Sequence, residues 1–575
     1  MSVAIVRDGL GHRNDDDNDH YHDNNNDHDN DNDHDNGCVL YLNFHTRIIN
    51  MRKLLSAILL ASAPGFLFAL DVSVVDCGAV ADGKTVNTAA IQQAIDKVNA
   101  GGGGKVVIPK GQFVTGTLYL KSNVRLSLQG DAELLGSRSL ADYPKNNPGS
   151  GEVVGSMKSP VGEVLTASEF IQALIVADQA AHVGIEGPGT IDGRGQPDAF
   201  PCRIPGQKEL GSRPMLMRFF KCRDITIENA NLKNPASWGV HLIDCDNVHI
   251  RGVIIRHRAN GNNDGIDIDG CRNVFISECD ISSGDDAICP KSSHGRPCEN
   301  IFVRNCVISS DCSAIKLGTS SRAGFRNIVI SDCVMRNTKM GCIKLLCVDG
   351  GILENVLIQN IVMDQVDGPL FIRLGDRGAA YQTPEKDGAP VPVGILRNIT
   401  ISNIRATIAG TKKTHSGIMI SGIPGHKISG IRLDNIDIRF PGMGPAGERK
   451  PVPEDEKKYP EQFFFGVLPS YGMYIRHAEE LELSRIRFSY TGEEKRPAFV
   501  LEDVNGFALK DSKIQADGNA VLEATAVTET TISGCQIAGA PGCLVEADAG
   551  SQDKISLDGN KMPKETKPMK LKTGN

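Results

Sequence analysis

The chain has 575 residues, a formal net charge of −8 and a sequence pI near 6.0. This acidic balance gives no reason to expect nucleic-acid binding, and no apolar run after residue 70 is long enough to cross a membrane. Aromatic residues make up 5% of the chain and apolar residues 40%, which favours an extended aliphatic core over an aromatic-rich one.

The first fifty residues differ in kind from the rest. Residues 13–36 are almost entirely Asn, Asp and His, and such a stretch cannot bury enough apolar surface to offset the entropy of ordering. We therefore predict that residues 1–50 form a disordered tail, or are the translation of an upstream region. Weak metal binding by the His/Asp tract is the alternative.

A secretory signal is predicted over residues 51–70. Met51 is followed by Arg52 and Lys53, then by an apolar stretch over 54–68 and a plausible cleavage residue at Ala69. This layout is typical of a signal peptide and is too short for a membrane span. We expect a secreted or periplasmic protein that begins near residue 70 or 71 and has no membrane contact after cleavage.

Residues 71–140 are predicted to form an N-terminal cap and the first coils. Residues 88–99 have helical spacing, with Ile91, Ile95 and Val98 on one face, and the glycines at 101–104 end the helix. A helix at this place would cover the open end of a stack of strands.

The middle of the chain repeats itself about every 27 residues. Asn273, Asn300, Asn327 and Asn355 open similar units at intervals of 27, 27 and 28 residues. Each unit has short segments of alternating apolar residues, which indicate strands. Because one unit cannot bury its apolar face alone, the units must stack. We predict an all-β fold, a single-stranded parallel β-helix over 141–560, with an insertion at 376–393 and a frayed Lys-rich tail over 561–575.

The spacing also explains many of the 16 cysteines. Two series recur once per unit, namely Cys279, Cys306 and Cys333, and Cys222, Cys245, Cys271 and Cys298. Equivalent positions on successive coils lie about 4.8 Å apart. We therefore predict ladders of buried thiols that pack as small apolar groups. A disulfide framework is the alternative.

Two acidic clusters fall at matching points of adjacent units. Asp264 precedes Ile266 by two residues, and Asp285 and Asp286 precede Ile288. Stacking should bring the three carboxylates into one patch, where mutual repulsion raises at least one pKa. One protonated and one ionised carboxyl group are what glycoside hydrolysis requires. Acidic turns that are purely structural, or that bind Ca²⁺, have the same pattern.

These clusters belong to a wider set of segments that resembles the polygalacturonase family, glycoside hydrolase family 28. The segments are Asp76-Cys77-Gly78-Ala79, Asp82-Gly83-Lys84-Thr85, Gly102-Gly103-Gly104-Lys105-Val106, Leu120-Lys121-Ser122-Asn123-Val124, Asn262-Asn263-Asp264-Gly265 and Asp285-Asp286. The resemblance spans roughly residues 71–440. It implies a right-handed β-helix and inverting hydrolysis without a metal or other cofactor. It also implies that Asp285 is the general acid and that Asp264 and Asp286 activate the water.

Two family motifs are altered. Cys312 stands where the family has the histidine of Gly-His-Gly, and Cys342 stands where it has the arginine of Arg-Ile-Lys, although Lys344 matches. Both missing side chains serve the family's substrate site. Their loss questions plain polygalacturonan as the substrate more than it questions hydrolysis.

A column of outward positions offers a replacement. The residues that follow the inward apolar position on successive coils are His241, Asp267, Cys289, Lys316, Lys344 and Arg373. We predict that Lys316, Lys344 and Arg373 form a basic stripe that binds a uronate carboxylate, with His241 and Asp267 also in the substrate site. A solvated charged face, or salt bridges to loop acids, is the alternative. Trp238, one coil before Asp264, either stacks on a sugar or is a buried core residue.

The sequence therefore predicts a monomeric glycoside hydrolase that acts on an acidic pectic polysaccharide. Two other functions use the same fold. A polysaccharide lyase would need Ca²⁺ and a Lys or Arg base, and a carbohydrate-binding β-helix or adhesin would need no catalytic group.

Overall fold

The computed structural model describes residues 69–144, 157–158, 164–165, 172–202, 212–293, 295–378, 391–411, 417–443 and 450–572. The predictions for the tail at 1–50, for nearly all of the signal at 51–70 and for most of the insertion at 376–393 lie outside these residues. Within them, no helix has both the length and the apolar character of a membrane span.

The described chain is a parallel β-helix, as predicted, in which each coil contributes to three parallel sheets. The site sheet, named for what lies on it, contains Leu118–Leu120, Ala173–Asp178, Met215–Phe220, Val240–Ile243, Ile266–Asp269, Ile288–Lys291, Ile315–Leu317, Ile343–Cys347, Leu370–Leu374, Ile418–Ser421, Cys543–Ala547 and Lys567–Leu571. The second sheet contains Leu70–Ser73, Gly104–Ile108, Val124–Leu128, Ala181–Glu186, Arg223–Glu228, Asp246–Arg251, Arg272–Ser277, Cys298–Arg304 and Ile555–Asp558. The third sheet contains Asp82–Val86, Gly111–Thr115, Ala132–Gly136, Thr190–Asp192, Asn231–Lys233, Ile254–His257, Asp280–Ser283, Val307–Ser310, Lys513–Ala516 and Gln536–Gly539.

Several long strands bend from one sheet into the next. They are Gly324–Arg336, Ile352–Val366, Ile395–Ile408, Ile428–Phe440, Met473–Tyr490, Phe499–Lys510 and Ala520–Ser533. A separate antiparallel pair joins Met157–Lys158 to Val164–Leu165. Single 3₁₀ turns lie at Val74–Cys77, Leu140–Asp142, Gln462–Phe465 and Gln552–Lys554. The end of the chain corrects the expected frayed tail, because Lys567–Leu571 pairs in register with Cys543–Ala547.

The predicted capping helix is present as α1, Thr88–Ala100, with Ile91, Ile95 and Val98 buried as expected. It packs against the first strands of the second sheet and covers the end of the core. Glycine is required at Gly104, where φ is +146° and a Cβ would lie 2.2 Å from the Leu70 carbonyl oxygen. The run of glycines therefore lets the strand after the helix approach the first strand closely.

The core is a stack of inward aliphatic side chains in strict register. On the site sheet, Val240 pairs with Ile266, Ile266 with Ile288, Ile288 with Ile315 and Ile315 with Ile343. Each fully buried side chain of this size contributes roughly 1.5–3 kcal/mol. The register matters for the site because it fixes which outward residues become neighbours on adjacent coils.

The repeated asparagines have a structural role. Asn273, Asn300 and Asn327 have positive φ of 55–58°, a region that asparagine tolerates better than most residues. Each donates its side-chain amide to the Oδ1 of the asparagine one coil earlier, at 2.9–3.0 Å. The prediction that the cysteine ladders carry no disulfides is also confirmed, because all 15 cysteines in the described part of the chain are free thiols.

Candidate active site

The three predicted aspartates meet at the start of two neighbouring strands of the site sheet. Asp264 precedes Ile266–Asp269 and Asp286 precedes Ile288–Lys291, and these strands pair in register. The backbone N–H of Gly265 donates to the Asp286 carbonyl oxygen at 3.0 Å. Asp264 and Asp286 are therefore stacked on adjacent coils, with Asp285 beside them.

The turn that carries Asp264 is held by Asn263 and His257. Asn263 is fully buried and donates its amide to the carbonyl oxygens of Pro235 and Ser237, at 3.0 and 2.8 Å. His257 Nδ1 donates to the Asp264 carbonyl oxygen at 2.9 Å, and burial lowers the pKa of this histidine to about 4. Sequence reasoning missed the role of His257, which lies on a different sheet.

Asp264 is almost completely buried, and its Oδ1 has no hydrogen-bond partner among the described residues. Burial, followed by the negative charges of Asp285 and Asp267, raises its pKa well above the usual range. An aspartate in this environment favours its protonated form until a cation, a donor or a polarised water approaches.

Asp285 is the most accessible of the three. Its carbonyl oxygen accepts hydrogen bonds from Ser283 Oγ at 2.5 Å and Ser310 Oγ at 2.6 Å, which fix the backbone while the side chain stays half-buried. Burial and the neighbouring Asp286 raise the pKa of the Asp285 carboxyl group, although Lys316 opposes them. A raised pKa at an accessible position suits a proton donor.

Asp286 has the opposite shift. Its Oδ2 lies 3.0 Å from Lys316 Nζ, and its Oδ1 accepts from the Ser313 backbone N–H at 3.2 Å. Burial alone would raise its pKa, but Lys316, Lys344 and Lys291 outweigh burial and hold the pKa well below the usual value. Adjacent carboxyl groups with pKa values pushed apart can divide acid and base roles between them.

The basic column is present in part, and its predicted membership needs one correction. Lys316 pairs with Lys344 in register, but the next residue of the column is Phe371. Arg373 is instead in register with Leu346. Alternation places both Phe371 and Arg373 on the outer face, and only the register between coils decides which of them stacks on Lys344.

The expected open stripe also needs correcting, because a later segment covers it. Lys316, Lys344 and Arg373 are only 3%, 0% and 1% exposed. Glu461 binds both lysines, with Oε1 at 3.1 Å from Lys316 Nζ and Oε2 on Lys344 Nζ. Arg373 donates to the Glu454 carbonyl oxygen at 2.5 Å. We call residues 450–466, which include both glutamates, the strap.

The other two predicted site residues lie next to the aspartates. Asp267 is fully buried and lies 3.0 Å from Lys291 Nζ, and burial raises its pKa to about 7 although Lys291 opposes this. Lys291 Nζ also lies 4.9 Å from the centre of the Trp238 ring. The rings of Trp238 and His241 are nearly perpendicular, with their centres 4.9 Å apart. Trp238 is half-buried and packs against a small apolar cluster, and its stacking on a sugar stays a prediction.

Comparison with known proteins identifies the family. The family model for glycosyl hydrolases family 28 matches residues 102–452, more than half of the chain. The chain belongs to glycosyl hydrolase family 28. The predicted resemblance is therefore confirmed.

Several family relatives are similar over part of their length. A probable polygalacturonase of Vitis vinifera is 34% identical over 226 residues, which are 38% of this chain and 44% of the relative. An exo-poly-alpha-D-galacturonosidase of Dickeya chrysanthemi is 27% identical over 263 residues, 38% of this chain and 41% of the relative. The chain thus matches under half the length of these two relatives.

Solved structures show the same fold. A family 28 exopolygalacturonase of Yersinia enterocolitica superposes with a TM-score of 0.55 at 21% identity, covering 76% of this chain and 78% of that one. A hyperthermoactive exopolygalacturonase of Thermotoga maritima gives 0.54 at 23%, covering 64% and 87%. These likenesses establish the right-handed β-helix of the family.

Cys312 and Cys342, which are predicted to stand at the two altered family motifs, have different surroundings. The Cys312 Sγ and one carboxylate oxygen each of Asp285 and Asp286 lie within 4.8 Å of one another. Burial, followed by these two charges, raises the Cys312 pKa well above its usual value. Cys342 instead lies in the core, with its Sγ 3.4 Å from Met335 Sδ.

Cys312 therefore bears on the expectation of hydrolysis without a metal. Asp285, Asp286 and Cys312 present three such groups among the described residues. Asp286 already has Lys316 as its counter-charge at 3.0 Å, so a cation bound here would compete with an ammonium group.

Proposed function

We propose that this family 28 enzyme hydrolyses the glycosidic bonds of an acidic pectic polysaccharide, with Asp285 as the general acid and Asp264 and Asp286 activating water. The observation that carries this proposal is the stacking of Asp264 on Asp286 at the start of two paired strands, with the half-buried Asp285 beside them. The test is a panel of pectic polysaccharides and oligosaccharides with measurement of new reducing ends. Absence of reducing ends on every member would reject it.

The proposed reaction is a single displacement. The Asp285 carboxyl group gives its proton to the leaving glycosidic oxygen as the bond to the anomeric carbon breaks. Water attacks that carbon from the opposite side and loses its proton to the Asp286 carboxylate, while Asp264 on the adjacent coil helps to position the water. Asp286 is suited to this because Lys316 keeps it ionised, and an ionised group accepts a proton.

The lysines offer no base for a lyase reaction. A lyase needs an unprotonated Lys or Arg next to the sugar. Burial lowers the pKa of Lys316, but the charges of Asp286 and Glu461 outweigh burial and raise it well above the usual value. The same balance raises the pKa of Lys344. Both ammonium groups therefore stay protonated, and a product with the absorbance of an unsaturated uronate is not expected.

Stereochemistry and metal dependence test the mechanism. Proton NMR of the first product should show the inverted anomer, because water and the leaving oxygen lie on opposite faces of the sugar. Activity should survive EDTA, because a carboxylic acid supplies the proton and Lys316 supplies the counter-charge. A retained anomer, or activity that vanishes on chelation and returns with Ca²⁺, would contradict the mechanism.

Substrate charge should be sensed by cations that remain open. Arg258 and Lys339 are 38% and 61% exposed, and both bind Asp311. The Asp311 N–H donates to the carbonyl oxygen of Ser283, whose Oγ in turn binds the Asp285 backbone. We propose that Arg258 and Lys339 form a rim beside Asp285 that attracts uronate carboxylates. The basic stripe is covered by the strap and cannot contact them.

Lys339→Ala should therefore raise KM on polygalacturonate about threefold to tenfold with little change in kcat, the size expected for a half-exposed charge-assisted contact. The effect should shrink on the methyl-esterified polymer and at high salt. Lys457→Ala, 77% exposed on the strap, is the matched control. Equal KM values for Lys339→Ala and wild type would contradict recognition by the rim.

We also propose that the enzyme is secreted or periplasmic after cleavage near residue 70, which rests on the signal-like sequence of residues 51–70. Its predicted monomeric state stays a proposal.

A further inference from the structure

A buried chain of four alternating charges extends away from the catalytic aspartates. Asp286 Oδ2 lies 3.0 Å from Lys316 Nζ, Lys316 lies 3.1 Å from Glu461 Oε1, and Glu461 Oε2 binds Lys344. None of the four residues is more than 4% exposed. In such surroundings each charge depends on its partners, since water cannot replace them.

Glu461 reaches the site from far along the chain. It is 145 residues from Lys316 and 117 from Lys344. It also lies beyond residue 452, where the family match ends. Among the described residues, the carboxylate that binds both Lys316 and Lys344 is thus supplied by the strap, outside the segment that matches the family.

The strap has anchors of its own that do not involve Glu461. Arg476 donates to the carbonyl oxygens of Val452 at 3.0 Å and Pro453 at 2.5 Å. Gln462 Nε2 donates to the Gly417 carbonyl oxygen at 2.9 Å. Phe465 packs against Phe371, with ring centres 6.1 Å apart. Glu461 therefore is not needed to hold the strap, which leaves its charge available to act on the lysines.

We infer that Glu461 is a positioning residue for hydrolysis, which holds the Lys316 ammonium on Asp286 and so keeps the water-activating carboxylate aligned. This inference rests on the proposed function. Without Glu461, two buried ammonium groups face the single carboxylate of Asp286, and Lys316 loses the second contact that fixes it. Tyr459 Oη, 3.4 Å from Lys316 Nζ, cannot replace that charge.

Many charges face Asp286. The test must therefore separate the effect of Glu461 on the electrostatic field at the aspartates from its effect on the position of the Lys316 ammonium. The titratable groups around it are Asp264, Asp267, Asp285, Lys291, Cys312, Lys316, Lys344, Tyr459 and Glu461. Removing the negative charge of Glu461 makes the field at Asp285 more positive, which favours its carboxylate and lowers its pKa. Because the acid must be protonated, the alkaline limb of activity should then move to lower pH.

Glu461→Gln should lower kcat about 10- to 100-fold, as expected when a catalytic group is displaced by a fraction of an ångström to one ångström, and should change KM less than about threefold. The alkaline limb of kcat/KM should shift to lower pH. The matched control is Glu494→Gln, which removes a carboxylate that is 2% exposed and paired with Arg496 at 2.7 Å, away from the lysines. It should leave kcat and the pH profile unchanged. Wild-type kcat and pH profile in folded Glu461→Gln would overturn the inference.

A double variant separates placement from neutralisation. Glu461→Gln combined with Lys344→Met removes one charge of each sign, so the field at Asp285 and the alkaline limb should return toward wild type. The low kcat should persist, because Lys316 still lacks its second partner. Recovery of kcat to the wild-type value would show that Glu461 only neutralises Lys344, and would overturn the positioning role.

A readout without substrate keeps this test apart from the proposed function. The Cys312 thiol lies beside Asp285 and Asp286. Burial is the main cause of its raised pKa, and the charges of the two aspartates raise that pKa further, while Lys344 and Lys316 lower it. Iodoacetamide labelling of Cys312, followed by peptide mass spectrometry, should be about threefold or more faster in Glu461→Gln than in wild type or Glu494→Gln near pH 8.5, since only the thiolate reacts. If wild type releases no reducing ends, the proposed function fails while labelling still reports on Glu461. Equal labelling rates in all three proteins would overturn the inference.

Discussion

Replacing Asp285 by asparagine should lower kcat on polygalacturonate by about 10²- to 10⁴-fold, the usual contribution of a general acid. The amide has nearly the same shape but no proton to give to the leaving oxygen. The fold should survive, because Asp285 is anchored through its backbone carbonyl by Ser283 and Ser310. Reducing-end release and circular dichroism of the purified variant measure the two effects.

A matched variant and a second substrate make this result specific. Asp280→Asn lies on the same coil, pairs with Arg256 on the surface at 2.5 Å and should keep wild-type kcat. A galacturonide with an aryl leaving group of low pKa needs little protonation, so Asp285→Asn should lose far less activity on it. Near-normal turnover of the polymer by Asp285→Asn would rule out the acid role.

The same substrate pair tests Asp264, whose pKa is also raised. If Asp264 were the acid, Asp264→Asn and not Asp285→Asn would be rescued by the good leaving group. We expect no rescue of Asp264→Asn, because a residue that activates water is needed whatever group departs. Its burial and its place one coil before Asp286 support that assignment.

The fold was predictable because each coil of a β-helix appears in the sequence as one repeat of nearly constant length. Asn273 and Asn300 mark the same turn of successive coils, and the alternating residues between such marks face inward or outward. A repeat of constant length leaves stacking as the only way to bury the apolar face. The end of the chain was less predictable, because Lys567–Leu571 has few apolar residues and forms a strand only through its pairing with the coil before it.

The cluster of aspartates was predictable for the same reason, and the register of Arg373 shows where that reasoning ends. Asp264 and Asp286 each precede an inward isoleucine by two residues, so pairing of the isoleucines places them together. In contrast, Phe371 and Arg373 both follow an inward residue. The number of residues between equivalent positions of these two coils is not clear from the sequence, so the sequence cannot decide which of them stacks on Lys344. In the structure it is Phe371.

The strap could not be predicted from the sequence. Residues 450–466 have neither the repeat length nor alternation, so nothing in them indicates which coil they cover. Glu461 reaches Lys316 because the strap packs on the site sheet. Phe465 packs in an apolar cluster there, and Arg476 binds the strap backbone, and both are tertiary contacts. The sequence placed Lys316 and Lys344 next to the acidic cluster. Their partner Glu461, and hence their burial, comes from the strap, whose sequence has no pattern that indicates this contact.

Lys316→Met should cause the largest loss of stability among the site variants, about 3–5 kcal/mol in the free energy of unfolding at pH 7. Lys316 is 3% exposed and stands between Asp286 and Glu461, at 3.0 and 3.1 Å. Methionine fills the space but leaves two buried carboxylates with Lys344 as their nearest cation. Hydrolysis should also fall at neutral pH, because Asp286 loses the Lys316 contact that holds it ionised and in place.

The loss of stability in Lys316→Met should depend on pH in a definite direction. A simple loss of packing would cost the same at every pH. In wild type, the pKa of Asp286 is lowered from 3.8 and that of Glu461 from 4.5, so their stabilisation is complete above these values and is lost only as pH falls through the folded-state pKa values. In Lys316→Met, burial still raises the pKa of Asp286 while its strongest counter-charge is absent, so we expect its folded-state pKa to lie above that of the unfolded chain. The folded variant therefore binds a proton before the unfolded chain does, and its stability rises as pH falls toward 5.

Urea unfolding of both proteins at pH 7 and pH 5 measures this sign. Asp264, Asp267 and Asp285 titrate in both proteins, so the difference between the two free energies isolates mainly the effect of Lys316. That difference should be smaller at pH 5 than at pH 7. Lys457→Met, an exposed strap lysine 3.7 Å from Asp376, should match wild type at both pH values. An equal difference at the two pH values would show that Lys316 contributes through packing, and not by holding Asp286 and Glu461 ionised.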